Sequence, residues 1–177
     1  NDKVGVIFFS DRIEKFIPPK KGKKHILLII REIIDMKPQS RGTDIDVALK
    51  FMTNALKKRC TAFLLSDFID HHDYFSSMSI ANRKHDLAAI QIYDKRDAKL
   101  PDVGLVRVRD METGADRWLD TSSAKVRKAF DKAWYERQQK LSSIVGKCGV
   151  DLASITTDED YVKALLALFR NRSGVRR

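Results

Sequence analysis

Thr43 and Asp67 are the side chains whose type and position carry the most chemical meaning in this sequence. Thr43 stands in Arg41-Gly42-Thr43-Asp44-Ile45, a tight loop that leads into a periodic apolar stretch. Asp67 closes the apolar run Thr61-Ala62-Phe63-Leu64-Leu65-Ser66-Asp67-Phe68. A hydroxyl at a helix start and a carboxylate at the carboxyl end of a strand are how an open α/β sheet brings oxygens to one crevice. Oxygen donors suit a hard cation such as Mg²⁺. Two of them are too few to hold it, so the pair reads as part of a site. Taken alone, the same residues also serve as a helix cap and a strand-end turn.

Other reactive types are weaker signals. Asp70-His71-His72-Asp73 has the look of a metal cluster, but no third spaced ligand accompanies it, and such a loop reads as solvated capping residues. Asp94 ends another strand and reads as a turn residue. There is neither a Gly-x-Ser-x-Gly elbow nor an evident Cys–His pairing. Gly5 and Gly22 form no phosphate loop. A metal-assisted hydrolase would need a general base near Asp67, and none is evident. An enzyme is therefore unsupported.

Composition sets the frame. A chain of 177 residues with 43% hydrophobic content is expected to fold as a single domain over 1–177. Its longest apolar run, Ile26 to Ile30, stops at Arg31-Glu32, well short of the ~20 residues a membrane helix needs. Cys60 and Cys148 are too few and too distant for a disulfide framework, which favours a reducing, cytoplasmic setting. The chain opens on Asn1 without a signal peptide, so it reads as a processed protein or a fragment. The net charge of +10 invites a nucleic-acid reading. Yet Lys20, Lys21, Lys23 and Lys24, and Arg170, Arg172, Arg176 and Arg177, have no interleaved aromatics for stacking. A basic nucleic-acid-binding protein stays as the alternative.

The elements that must position Thr43 and Asp67 follow from periodicity. Val4–Phe9 reads as a buried strand, and Arg12–Ile17, stopped by Pro18-Pro19, as an antiparallel edge strand. His25–Met36 and Asp44–Lys58 are amphipathic helices, the second with Ile45, Ala48, Leu49, Met52 and Leu56 on one face. Strands over 61–68 and 87–94 flank a helix over 73–84. Gly104–Arg109 and Arg117–Leu119 make a late β-hairpin around Glu112-Thr113-Gly114, with Trp118 and Trp134 as anchors. Thr121-Ser122-Ser123 caps a long helix to Lys147, followed by a strand over 151–156 and a helix from Thr157 to Arg170. The alternation predicts an α/β fold with a mainly parallel sheet and helices on both faces.

Gly42-Thr43-Asp44-Ile45, Leu64-Leu65-Ser66-Asp67-Phe68 and the late Asp110-Met111-Glu112-Thr113-Gly114 hairpin resemble one known family. It is the von Willebrand factor A-like family of bacterial proteins known as domain of unknown function fifty-eight. The resemblance spans nearly the whole chain. It implies a Rossmann-like von Willebrand A fold with a metal-ion-dependent adhesion site, in which Thr43 and Asp67 hold Mg²⁺. Gly42, Asp44, Phe68 and Asp70 flank these ligands and are expected to meet the partner. The family's Asp-x-Ser-x-Ser loop has no counterpart, so the resemblance implies a chain truncated before its first strand, with an incomplete site and no Mg²⁺ of its own. The gap between Val4–Phe9 and Thr61–Phe68 should then be closed by direct pairing or by a strand from a second copy. The implied function is a metal-dependent, protein-binding adaptor, not an enzyme, working with a MoxR-type AAA+ ATPase on client proteins.

Overall fold

The computed structural model describes residues 2–109 and 114–175. The chain runs β1 (Val4–Phe9), β2 (Ile13–Lys20), α1 (Lys23–Asp35), α2 (Ile45–Ala55), β3 (Thr61–Ser66), α3 (Phe75–Lys84) and β4 (Asp86–Tyr93). It continues through α4 (Lys95–Ala98), β5 (Leu105–Arg109), β6 (Asp116–Asp120), α5 (Ala124–Cys148), β7 (Asp151–Thr156) and α6 (Tyr161–Val175).

The centre is a three-stranded parallel sheet in the order β3-β4-β7. Central β4 is buried on both faces from Leu87 to Gln91, which is why it reads as an unbroken apolar run. On one face Leu64, Leu87 and Ala89 pack with Ile45, Leu49 and Met52 of α2, Met78 of α3, and Leu141 and Val145 of α5. The expected apolar face of α2 is thus the buried one. On the other face Ala88, Ile90, Ala153 and Ile155 meet Leu168 of α6. Arg172 fastens α6 further, pairing with Asp86 and, at 3.3 Å, with Asp151. The helices do lie on both faces of this sheet.

The central sheet is parallel as expected, and the antiparallel hairpin is present, but β1 and β2 stand apart from that sheet instead of extending it. The other strands form two antiparallel pairs, β1-β2 and β5-β6, each a sheet of its own. Chain geometry gives the reason. Strands joined by a short turn can only pair antiparallel, and a parallel ladder needs a helix-length crossover. Val4–Phe9 and Thr61–Phe68 do not share a sheet either: among the described residues β1 pairs with β2 alone, and β3 is an edge strand. Both nevertheless serve one core, since Ile7 and Phe9 pack against the cluster that holds Leu64. Their carboxyl ends are tied to α2 rather than to each other, as described below.

Two local expectations also shift. β2 runs through Pro18 and Pro19 to Lys20, because an edge strand tolerates residues that cannot donate outward. Thr121 does not cap α5. It is fully buried at the base of the β5–β6 hairpin, donating to the Gly104 carbonyl at 2.6 Å and accepting from Val103 N–H at 3.0 Å. The hairpin turn at Glu112-Thr113 lies outside the described residues. Among the described residues, no helix is long and apolar enough to cross a membrane.

Candidate functional site

The first turn of α2 gathers the loops that follow β1 and β3. Asp44 is its N-cap, in extended conformation, and its Oδ1 accepts from Val47 N–H at 3.0 Å. The Asp44 N–H donates to the Ser10 carbonyl just past β1 at 2.9 Å. The next amide, Ile45 N–H, donates to Asp70 Oδ2 past β3 at 2.8 Å. Consecutive amides of one helix end therefore hold the ends of two strands that share no ladder. Glu14 steadies the approach to this turn, accepting from both Gln39 N–H and Ser40 N–H at 3.1 Å. Gly42 sits against Asp11, where an added Cβ would stand 3.3 Å from the Asp11 Cβ.

Asp70 is the hub. Its side chain is wholly buried, with Oδ1 accepting from His72 N–H at 2.7 Å and lying 2.8 Å from His72 Nδ1. His72 Nδ1 is also 4.0 Å from Asp44 Oδ2. The hydrogen bond that His72 gives to Asp70 and the nearby Asp44 charge raise the His72 pKa above its ordinary value, with help from the Thr43 main chain. Ligand atoms of Asp44, Asp70 and His72 all lie within 4.8 Å of one another. The missing third partner of the Asp70–His72 loop is thus Asp44, which the helix start brings in from a distant stretch. The Asp70 carboxylate, expected near the partner, is wholly buried and braces this group from within.

Asp67 is exposed at the carboxyl end of β3 but stands outside this group. Its Oδ1 turns back on its own loop, accepting from Ile69 N–H at 3.0 Å. Its carbonyl accepts from Gln91 Nε2 at 3.3 Å. Phe68 has a left-handed φ of 59°, uncommon for a bulky residue, and Ser66 Oγ holds its N–H at 3.0 Å. That reversal turns the ring inward, so Phe68 belongs to the core at 8% exposure. The cleft beside Asp67, lined by Gln91, Trp134 and Arg137 among others, measures about 10 Å³, room for one water at most. Trp134 of α5 packs against Tyr93 at the end of β4, with ring centroids 4.8 Å apart and the planes inclined by 42°.

The residues present do not fit Mg²⁺. Thr43 and Asp67 offer two oxygens, and Asp67 already spends one of its own within its loop. The nearby group adds an imidazole, a donor that suits zinc, iron or nickel better than a hard ion wanting six oxygens. Both Asp70 oxygens are also committed to backbone amides. Calorimetric titration of this chain with Mg²⁺ is expected to show no binding in the micromolar range, and a clear micromolar isotherm would contradict this assignment.

A Cys–His contact that sequence reading missed lies at the opposite end of the sheet. Cys60 Sγ is 3.5 Å from Nδ1 of the buried His85. Burial raises the thiol pKa and lowers that of the imidazole, so both stay neutral near pH 7. The pair is a structural hydrogen bond, not an activated thiolate.

Residues 1–140 match the sequence pattern of the family described as protein of unknown function DUF58. The chain belongs to the DUF58 family. Among its relatives is the uncharacterized protein Rv1480 of Mycobacterium tuberculosis, 25% identical over 173 residues, covering 97% of this chain and 54% of that protein. The DUF58 chain thus spans about half the length of that relative. The uncharacterized protein MAV169 of Mycobacterium avium is 25% identical over 158 residues, covering 88% of this chain and 93% of its own. Two solved structures share the fold. BatB from Bacteroides thetaiotaomicron has a TM-score of 0.54 at 12% identity, covering 99% of this chain and 80% of its own. An aerotolerance-related membrane protein from Bacteroides fragilis has a TM-score of 0.55 at 15% identity, with coverages of 94% and 77%.

Proposed function

We propose that this DUF58 chain is a von Willebrand A-like, protein-binding adaptor that works with a MoxR-type AAA+ ATPase in the assembly or maturation of client proteins. The observation that carries the reading is the meeting of the β1 and β3 end loops on the first turn of α2. Open α/β sheets bind their ligands at this carboxyl edge. A buried hub at Asp70 braces the frame, while Asp11, Arg41, Asp67 and His72 remain exposed around it. A rigid frame under exposed charged side chains suits recognition of a protein surface, because little ordering entropy is left to lose on binding. The 10 Å³ cleft at Asp67 suits no small substrate. Dependence on Mg²⁺ belongs to this proposal only for a polypeptide that brings further oxygen ligands to Thr43 and Asp67. A cytoplasmic setting belongs to it as well, in keeping with free Cys60 and Cys148.

Calorimetry with a purified MoxR-type ATPase tests the reading. Asp67→Ala removes an exposed carboxylate without touching the core, and a charge-assisted contact is worth roughly 1.5–3 kcal/mol. Affinity is expected to fall at least about tenfold. An unchanged isotherm would remove Asp67 from the interface.

A further inference from the structure

α1 carries more apolar surface than the fold buries. Of its 13 residues only Ile29 is buried. Leu27, Ile30 and Ile34, spaced three and four positions apart, lie along one stripe of the helix. Leu27 is 55% exposed and Ile34 76%, with Ile33 beside them at 58%. Apolar residues scattered singly on a surface need no explanation, but a contiguous stripe does. The charge around this stripe is of one sign. From Lys20 to Lys37 six lysine and arginine side chains stand against two acids, Glu32 and Asp35. Both acids are already paired: Lys15 Nζ lies 2.6 Å from Glu32 Oε2, and Arg31 Nε lies 3.3 Å from Asp35 Oδ2. Lys20, Lys21, Lys23 and Lys24 are exposed, and among the described residues they make no ion pair. α1 also opens on Lys23 and Lys24 with no acid in its first turn, which sets cations at the positive end of the helix dipole. A layer of external anions would relieve that repulsion.

We propose that α1 is an interfacial helix that lays this stripe on an anionic lipid bilayer. Leu27, Ile30, Ile33 and Ile34 would enter the boundary between headgroups and acyl chains, and the lysines from Lys20 to Lys24 would meet the lipid phosphates. At about 1.5 Å per residue the helix is roughly 20 Å long, too short to span a bilayer and suited to lying flat on one. Two other occupants fit this face less well. A two-fold contact with a second copy would set one positive patch against its twin. A nucleic acid brings phosphates but no apolar layer for the stripe, and residues 20–37 hold no Trp, Tyr or Phe on which a base could stack. A bilayer surface presents both layers side by side. The inference is independent of the adaptor reading, which concerns the first turn of α2 and the loops that meet it.

Co-sedimentation tests this, with vesicles of equal parts phosphatidylcholine and phosphatidylglycerol against vesicles of phosphatidylcholine alone. The chain is expected to pellet with the anionic vesicles and to stay in solution with the neutral ones. Leu27→Gln combined with Ile34→Gln changes no charge and removes no buried group. The pair should weaken binding to anionic vesicles at least about tenfold, with an unaltered thermal melt. Changing Lys20, Lys21, Lys23 and Lys24 to Glu should weaken it at least about a hundredfold, since each lysine near an anionic surface contributes about fivefold. The proposal is overturned by equal sedimentation with both kinds of vesicle, by none with either, or by wild-type binding in the double glutamine variant. It is overturned as well if ultracentrifugation shows a dimer that the glutamine variant dissolves. Tighter binding of a labelled oligo-thymidine or poly-glutamate than of the vesicles, dependent on the same lysines, would assign the face to that partner instead.

Discussion

Asp70→Ala is expected to cost about 3 kcal/mol of stability, the sum of burying amides without an acceptor and losing charge-assisted bonds. The wholly buried carboxylate takes Ile45 N–H at 2.8 Å and His72 N–H at 2.7 Å. Its removal leaves the α2 start and the β3 end loop unjoined. For a chain of this size the change corresponds to a fall of roughly 6–12 °C in Tm, readable by calorimetry. A second readout separates this role from generic packing. His72 owes its raised pKa first to Asp70, so the imidazole should titrate closer to its ordinary value in the variant, as followed by NMR. The sign of the linkage follows from the raised folded-state value. His72 stabilises the fold fully below its unfolded pKa near 6.5, and that contribution is lost as pH rises through the folded pKa. A variant with unchanged Tm and an unchanged His72 titration would remove Asp70 as the hub.

Gly5→Ala is expected to cost about 1–3 kcal/mol, the range for forcing an extra carbon into filled space. An added Cβ would lie 2.8 Å from the Ile17 carbonyl oxygen and 2.9 Å from Pro19 N. Both are backbone atoms of the facing strand, so no side chain can swing aside. The glycine also sits at the irregular register between Val4 and Val6, where the ladder accommodates the two prolines of β2. The loss should concentrate in β1 and β2, seen as faster amide exchange over 4–20, and equal exchange in the variant would contradict the contact.

The elements were legible because their signals are local. The α2 face of Ile45, Ala48, Leu49 and Met52 and the apolar run of β4 each report burial through spacing that no distant residue can alter. Strand pairing was not legible. Nothing local tells β1 that its end will be fixed to Asp44 N–H rather than to a neighbouring strand. The site shows the same limit. Ile45 and Asp70 are separated by 25 positions, so the grouping of Asp44, Asp70 and His72 exists only once α2 and β3 have packed. The burial of Phe68 and the exposure of Trp118 were not legible, for a shared reason. Their burial depends on a single backbone reversal and on which face of a two-stranded ribbon meets the body, and alternation is silent on both.

The central claim is that a partner engages the carboxyl edge built from the first turn of α2 and the loops after β1 and β3. Hydrogen–deuterium exchange of the chain with and without a bound MoxR-type ATPase tests it most directly. The account predicts slowed exchange over residues 10–12, 41–46 and 67–72, with β7 and α6 unchanged. Slowed exchange confined to α6 and the exposed face of α1, with those loops unaltered, would contradict it.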